Sequence, residues 1–443
     1  MMTDAHTSRR AGLFGAGALL LAQPLPAAAQ TAPTAQTATR AAAPRPRPLV
    51  RGFAQDRLAR IAGVMQAEAE RGSFPGAVTY IARQGETVHF EAHGHLDAAK
   101  TRRMTREAIF LQASMTKPIV STLAIMLLEE GRLKLDDPIA VYLPELRDLK
   151  LERTRDGNTE LVAPTRQPTV HDLLRHTAGF VYAAASPSAA IREAYNQNNI
   201  EARDRAITGD DMLRRLGTIS LAFDPGTRFF YSISVDVLGL LVERVARQRL
   251  DRVLEERLLG PLGMRDTAWF VSPDKRPRIA ETLDSDPLKE SMWRSYRILN
   301  DERETSYLKG GAGLVSTAAD YAKFAQMIAN NGSFGGRRYL AAPVVNFMLS
   351  DHMIGFEGTP TASTGPGYGF GLGFAVRRQD GMGTAPGSTG DAMWAGAWGT
   401  SFTIDRAEGL VAIIMAQGPS HRGRTRMIFK DLVYGAMVES IRR

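Results

Sequence analysis

The sequence predicts a composite α/β fold of the α+β type: helices packed on one antiparallel sheet, with a mostly helical insertion between its two halves. Three observations predict it. Strand-like runs lie near both ends, at 77–90 and 371–416, while the middle of the chain has few of them. The middle instead carries helical patterns separated by long Pro- and Gly-containing loops. No regular βαβ alternation is present, which favours helices on an antiparallel sheet over a doubly wound one.

Taken in order, Leu58, Ile61, Ala62, Met65 and Ala69 recur at helical spacing between Phe53 and Arg71. Ala77–Ile81 and Thr87–Phe90 flank Gln84-Gly85-Glu86 and read as a hairpin. Met115–Glu130 forms a long apolar helix closed by Gly131. Helical segments follow at Val170–Arg175, Asp210–Arg215, Val235–Gln248 and Arg252–Leu259, then at Ala318–Asn330. Strands are expected at Gly371–Val376, Thr400–Ile404 and Val411–Ala416, the last two joined by Asp405–Gly409, and a closing helix from about Arg424 to Ile441. The glycines of Gly367–Gly373 lack the βα unit and following acidic residue of a dinucleotide loop, so they read as an interrupted strand. The expected organisation is therefore 51–140 with 301–443 as the α/β domain and 141–300 as the helical one.

The amino terminus reads as an export signal. Ser8-Arg9-Arg10 precedes an apolar run from Ala11 to Ala22, then Pro24, Pro26 and Ala27-Ala28-Ala29. This is a basic region, a short apolar region and a small-residue cleavage site, with paired arginines suited to the twin-arginine route. The run is shorter than the roughly 20 residues needed to span a bilayer. We expect residues 1–29 to be removed, 30–50 to form a disordered tether, and the mature protein to be periplasmic or secreted, without a membrane span. Residues 1–51 carry six arginines against Asp4, so they supply +5 of the formal +8. The basic character belongs mostly to leader and tether, and no nucleic-acid partner is inferred. There is no cysteine, which excludes disulfides, thiolate metal sites and a cysteine nucleophile.

Among nucleophiles, the Gly-x-Ser-x-Gly elbow is absent. Ser-x-x-Lys occurs at Ser114–Lys117, Ser272–Lys275 and Ser306–Lys309. About one match arises by chance in a chain of this length, so context must decide. Residues three apart share a helix face, and a buried lysine loses its proton more readily, so that its amine can accept one from the serine. Only Ser114 opens an apolar helix, with Ile119, Val120, Leu123, Met126 and Leu127 behind it. Ser272 stands in a charged turn, and Ser306 runs into Gly310-Gly311. The spacing taken alone equally fits a helix-capping serine beside a solvated lysine.

Longer segments decide between these. Ala113-Ser114-Met115-Thr116-Lys117-Pro118 resembles the nucleophile segment of the serine β-lactamase-like hydrolases, in the branch holding class C β-lactamases and family VIII carboxylesterases. Thr169–Gly179, Pro225–Ser232, Pro261–Thr267 and Gly310–Thr317 are similar to recurrent segments of the same family. The resemblance implies a β-lactamase/transpeptidase-like fold and an acyl-enzyme on Ser114. It implies Lys117 as partner and Tyr231 of Tyr231-Ser232-Ile233 as general base. The third position of that motif is usually asparagine, and Ile233 lacks the amide that would hold a β-lactam side chain. The family's Lys-Thr-Gly motif lies on a strand near the carboxyl end, and two segments are candidates for it. Lys309-Gly310-Gly311 has the lysine but is followed by a loop and helix, whereas Trp394-Ala395-Gly396 stands just before the Thr400–Ile404 and Val411–Ala416 strands, where the family places the motif. Without the motif's lysine the carboxylate of a lactam or peptide loses a cation, and tryptophan offers apolar surface to an uncharged ester. By the same correspondence Ser114 and Ala397 supply backbone N–H groups to an oxyanion hole, and Asp236 is a substrate-site carboxylate. An early-turn helix carboxylate is an equal reading of Asp236.

The remaining candidates are weaker. His89, Glu91 and His93 alternate on one strand face, which reads as a solvated face rather than a metal site. His171 and His176 read as structural. Phe180, Tyr182, Phe229 and Trp398 are candidates for lining a pocket or for core packing. The expected function is hydrolysis of a small-molecule ester or amide through Ser114, with no metal and no organic cofactor. A β-lactamase or D-amino-acid peptidase on the same fold and a non-catalytic cell-wall-binding relative are the alternatives. Oligomeric state is left open.

Overall fold

A computed structural model describes residues 49–443 apart from 157, 204, 302–306, 357–360 and 443. The expected leader at 1–29, most of the expected tether and Ser306 lie outside the described residues. Among those described, the main sheet has seven antiparallel strands. They are β1 (Gly76–Arg83), β2 (Glu86–Gly94), β3 (Tyr368–Phe370), β4 (Ala375–Arg377), β5 (Ala392–Ala395), β6 (Ser401–Asp405) and β7 (Leu410–Ala416). In space they run β3-β4-β5-β6-β7-β1-β2, so the amino-terminal hairpin is added to one edge of a carboxy-terminal meander.

Local chemistry explains the turns. Gln84 and Gly85 both take positive φ, 52° and 83°, which suits the twist of a two-residue hairpin. Where a single strand is expected over Gly371–Val376, Gly371–Phe374 form the turn between β3 and β4, and Ala375 and Val376 open β4. Gly371 N–H donates to Phe374 O at 2.8 Å. Gly373 has φ of 92°, and a Cβ there would come within 2.5 Å of Ser121. Glycines that looked like interruptions of one strand are a reversal between two.

All seven residues of β7 are buried because both faces of the sheet are covered. Val411, Ile413 and Met415 point into the larger core, and Leu410, Ala412, Ile414 and Ala416 into a smaller one. Helices α1 (Arg60–Glu70) and α5 (Arg422–Ala436) close the smaller core with Ile61, Met65, Phe429 and Val433. On the other face lie α2 (Thr116–Glu129), α3 (Ser234–Ala246) and α4 (Ala318–Ala329). The helical region 141–300 shares that larger core through Leu238, Leu254 and Leu258, together with Phe402 and Ile413 of the sheet. It also contains a hairpin, Leu151–Arg155 with Asn158–Val162. The second strand of that hairpin is exposed at Asn158–Leu161, so no apolar alternation marks it in the sequence.

The strand face bearing His89, Glu91 and His93 is not solvated. Both histidines are buried, because α1 packs over β2. Their Nε2 atoms lie 2.7 and 2.8 Å from the single hydroxyl of Thr79 on β1. The ligand atoms of His89, Glu91 and His93 fall within 4.8 Å of one another. Both Nε2 atoms are engaged by Thr79, however, which fits a buried hydrogen-bonded cluster. Burial lowers the pKa of His89 and His93 to about 4, with His93 and Arg106 adding to the effect on His89. His171, which bonds His352 at 3.0 Å, is lowered to about 4 by burial, Arg175 and His352.

These shifts set a sign. A histidine whose folded pKa lies below its unfolded value of about 6.5 binds its proton more readily in the unfolded chain. Stability is then full above pH 6.5 and falls as the pH drops towards 4. We expect the melting temperature to fall steeply between pH 6.5 and 4.5 in differential scanning fluorimetry. His89→Gln should be less sensitive to acid over that window. A flat profile across it would mean these histidines carry their charge in the folded protein.

Candidate active site

The chain reaches Ser114 through a strained turn. Ala113 takes φ of 44°, a left-handed conformation costing a non-glycine residue roughly 1–2 kcal/mol. Ala113–Met115 forms a 3₁₀ turn that runs directly into α2. Neighbours hold this turn from several sides. Gln112 N–H donates to Leu314 O at 2.9 Å, and Leu314 N–H donates to the Thr116 hydroxyl at 3.0 Å. The Tyr321 hydroxyl donates to Met115 O at 2.9 Å. Ser114 is thus fixed half-buried at the start of an apolar helix.

Lys117 follows one turn later on the same face and is 1% exposed. Its Nζ donates to Gly311 O at 2.7 Å and to the Tyr182 hydroxyl at 3.0 Å, and lies 3.5 Å from Ser114 Oγ. It also sits 4.7 Å from the centroid of the Tyr231 ring. The Tyr231 hydroxyl is buried and has no hydrogen-bond partner among the described residues. A buried phenol without a partner needs a reason, and a pocket opening onto it supplies one.

That pocket has a volume of about 640 Å³ and is lined by Ser114, Tyr182, Tyr231, Asp236, Lys309, Ala397 and Trp398, among others. Its lining includes the apolar Leu111, Met292 and Trp398, which pack in one cluster, and the charged Glu201, Asp236 and Lys309. Asp236 accepts from Gly311 N–H at 3.1 Å, and Gly311 O receives the Lys117 amine. A Cβ at Gly311 would meet the Asp236 carboxylate at 2.5 Å, so glycine allows this approach. Burial raises the pKa of Asp236, opposed by Lys117 and Lys309. Burial likewise lowers that of Lys309, opposed by Asp236 and Glu201. Burial, and then the proximity of Tyr231 and Asp236, raises the Tyr182 phenol well above its usual range.

Ser114, Lys117, Tyr231, Asp236 and Ala397 therefore converge. Trp394, Ala395 and Gly396 are placed differently from the sequence expectation. The Trp394 ring lies behind Tyr231 (centroids 5.3 Å apart) and against Phe370 (5.2 Å), and does not line the pocket. It supports Tyr231 rather than offering surface to a ligand; Trp398 offers that surface. Gly396 lies against Gln112 O, which a Cβ would approach to 2.2 Å. His176 is buried beside Tyr231 with its ring 4.7 Å away, and its Nδ1 lies 3.3 Å from the Ser232 hydroxyl, a structural placement.

Tyr182, by sequence a candidate for pocket lining or core packing, holds the Lys117 amine through its hydroxyl. Lys309, in a segment followed by a loop, lines the pocket as well. The competing Ser272 is exposed, and the Lys275 amine donates to Arg265 O at 2.7 Å.

Comparison with known proteins identifies the family. The Beta-lactamase family model matches residues 61–433. The chain belongs to the beta-lactamase family. Among curated relatives, Esterase EstB of Burkholderia gladioli is 31% identical over 394 residues, covering 85% of this chain and 95% of that protein. Lovastatin esterase of Penicillium rubens is 29% identical over 299 residues, covering 65% of this chain and 71% of its own length. Among solved structures, EstCE1, described as a hydrolase with promiscuous acyltransferase activity, aligns with TM-score 0.72 at 27% identity. That alignment covers 87% of this chain and 99% of EstCE1. The resemblance read from the sequence and its β-lactamase/transpeptidase-like fold with an antiparallel sheet are both shown.

Proposed function

We propose that this beta-lactamase-family protein hydrolyses carboxylic esters through an acyl-enzyme on Ser114. It is a hydrolase of the carboxylesterase type. The observation that carries the mechanism is the Lys117 amine, buried, 3.5 Å from Ser114 Oγ and facing the ring of Tyr231, two residues that line the pocket. Lys117 and Tyr231 relay the serine proton as Oγ attacks the acyl carbon, and the N–H groups of Ser114 and Ala397 hold the oxyanion. The proton passes to the departing alcohol. Water, activated by the same pair, then cleaves the acyl-enzyme and regenerates Ser114. Tyr182, kept protonated by burial, accepts from Lys117 and fixes the amine in place. The esterase names of EstB and lovastatin esterase support the substrate class.

A second reading has one observation in its favour. Lys309 brings an amine to the pocket although the 394–396 strand lacks one, and a cation suits the carboxylate of a lactam or peptide. A panel of short p-nitrophenyl esters, the matching anilides and nitrocefin, run on the mature chain with Ser114→Ala as control, separates the two. We expect turnover of the esters to dominate and Ser114→Ala to abolish it. Faster turnover of nitrocefin would favour the second reading, and undiminished ester hydrolysis by Ser114→Ala would defeat both. The expected periplasmic or secreted location remains a proposal resting on residues 1–29.

A further inference from the structure

The oxyanion side of the pocket is tied to the carboxy-terminal helix through one peptide group. Ala397 lines the pocket with Ser114. Its N–H belongs to the same planar unit as the Gly396 carbonyl, and in a trans unit the two point in opposite directions. That carbonyl accepts from Gly399 N–H at 3.2 Å and from the Arg426 guanidinium. Gly396 N–H donates to Thr400 O at 2.9 Å, and the Gly396 Cα abuts Gln112 O, so the unit is held at its Gly396 end as well as at its carbonyl.

Arg426 stands on α5, on the far side of the strand from the pocket. It borders a separate cavity of about 210 Å³ together with Ser401, Met427 and Lys430. Its Nε is buried and has no partner among the described residues, so its recognised contact is the Gly396 carbonyl. A half-buried guanidinium bonded to a carbonyl acts at a lower effective dielectric than in water, where its field on the bonded dipole is stronger.

We propose that Arg426 is a positioning residue of the oxyanion site, holding and polarising the Gly396–Ala397 peptide so that Ala397 N–H is aimed at the acyl oxygen. This rests on the acyl-enzyme reading of Ser114. A cation on the carbonyl draws electron density through the amide and makes its N–H a stronger donor. Because the arrangement exists before substrate arrives, it needs no reorganisation when charge develops. Arg426 touches no substrate in this scheme, so its removal should spare binding and slow chemistry.

The test uses Arg426→Ala and Arg426→Met, with Arg422→Gln, a neighbour whose guanidinium donates to Pro419 O, as control. Deleting a whole oxyanion donor costs about 10²–10³-fold in kcat, so misaiming one should cost about 10–100-fold with KM changed less than about threefold. Affinity for a tetrahedral alkylboronic acid should fall by the same factor as kcat/KM. Methylguanidinium entering the enlarged cavity should restore Arg426→Ala at least about tenfold, while urea, which is neutral, should not. Arg426→Met fills the space and should not be rescued. Folded variants within about threefold of full kcat would overturn the proposal. So would a loss of activity without the boronate and rescue effects, since that pattern marks a packing role. A fluorophosphonate that labels Ser114 in the unsubstituted protein keeps the two questions apart. Absence of that adduct would remove the acyl-enzyme reading itself, and this role with it.

Discussion

Lys117→Met is expected to lower kcat for a short p-nitrophenyl ester by about 10³-fold, with KM nearly unchanged and the melting temperature held or raised. General acid–base groups contribute about 10²–10⁴-fold, and in the proposed mechanism the amine, 3.5 Å from Ser114 Oγ, takes the serine proton. Its removal leaves the Ser114 proton without an acceptor at the start of the reaction. The stability half of the expectation follows from burial. Lys117 is 1% exposed, and methionine of similar length avoids keeping an amine out of water. The loss of Lys117 does release Gly311 O and the Tyr182 hydroxyl, each costing on the order of 1 kcal/mol. The two effects offset one another. Steady-state kinetics with parallel thermal melts check both halves, and a kcat within tenfold of the unsubstituted protein would remove Lys117 from the proton path.

Tyr231→Phe is expected to cost about 10²-fold in kcat, and Tyr182→Phe no more than about tenfold. The two tyrosines flank the same amine with rings 5.6 Å apart, so position alone does not rank them. Their hydroxyls do. Tyr182 is occupied by Lys117, and burial holds its proton far above neutral pH, which makes it a support for the amine. The Tyr231 hydroxyl has no described partner and its residue lines the pocket, which leaves it uncommitted for the proposed proton transfer to the leaving alcohol. Burst kinetics with esters of graded leaving groups would show it. Tyr231→Phe should slow acylation most for poor leaving groups, whereas Tyr182→Phe should slow all of them alike. A larger loss in Tyr182→Phe would exchange the two roles.

How much of this was legible in the sequence depends on the range of the contact. Ser114 and Lys117 are three residues apart on one apolar helix, so spacing and burial could both be read. The Tyr182–Lys117 contact spans 65 residues and comes from a loop before a short 3₁₀ turn, where no periodicity aims a side chain. Trp394 was visible as a strand residue, but which face of the strand borders the pocket depends on how β5 is laid against Tyr231 and Phe370. His89 and His93 show the same limit. Period-two spacing says they share a face, and only the packing of α1 over β2 says that the face is covered. Arg426 carries no motif at all, since its place is set by α5 returning to the sheet after the last strand. The strand order was partly legible, because strands near both ends must meet if helices fill the middle. The β3–β4 reversal was hidden by glycines that fit a broken strand as well as a turn.

The most direct measurement is the mass of the protein after brief incubation with a slowly hydrolysed ester or a fluorophosphonate, followed by peptide mapping. We expect one adduct per chain, on the peptide holding Ser114, and none in Ser114→Ala. An adduct on another residue, or ester turnover with no adduct on Ser114 under either reagent, would contradict the account.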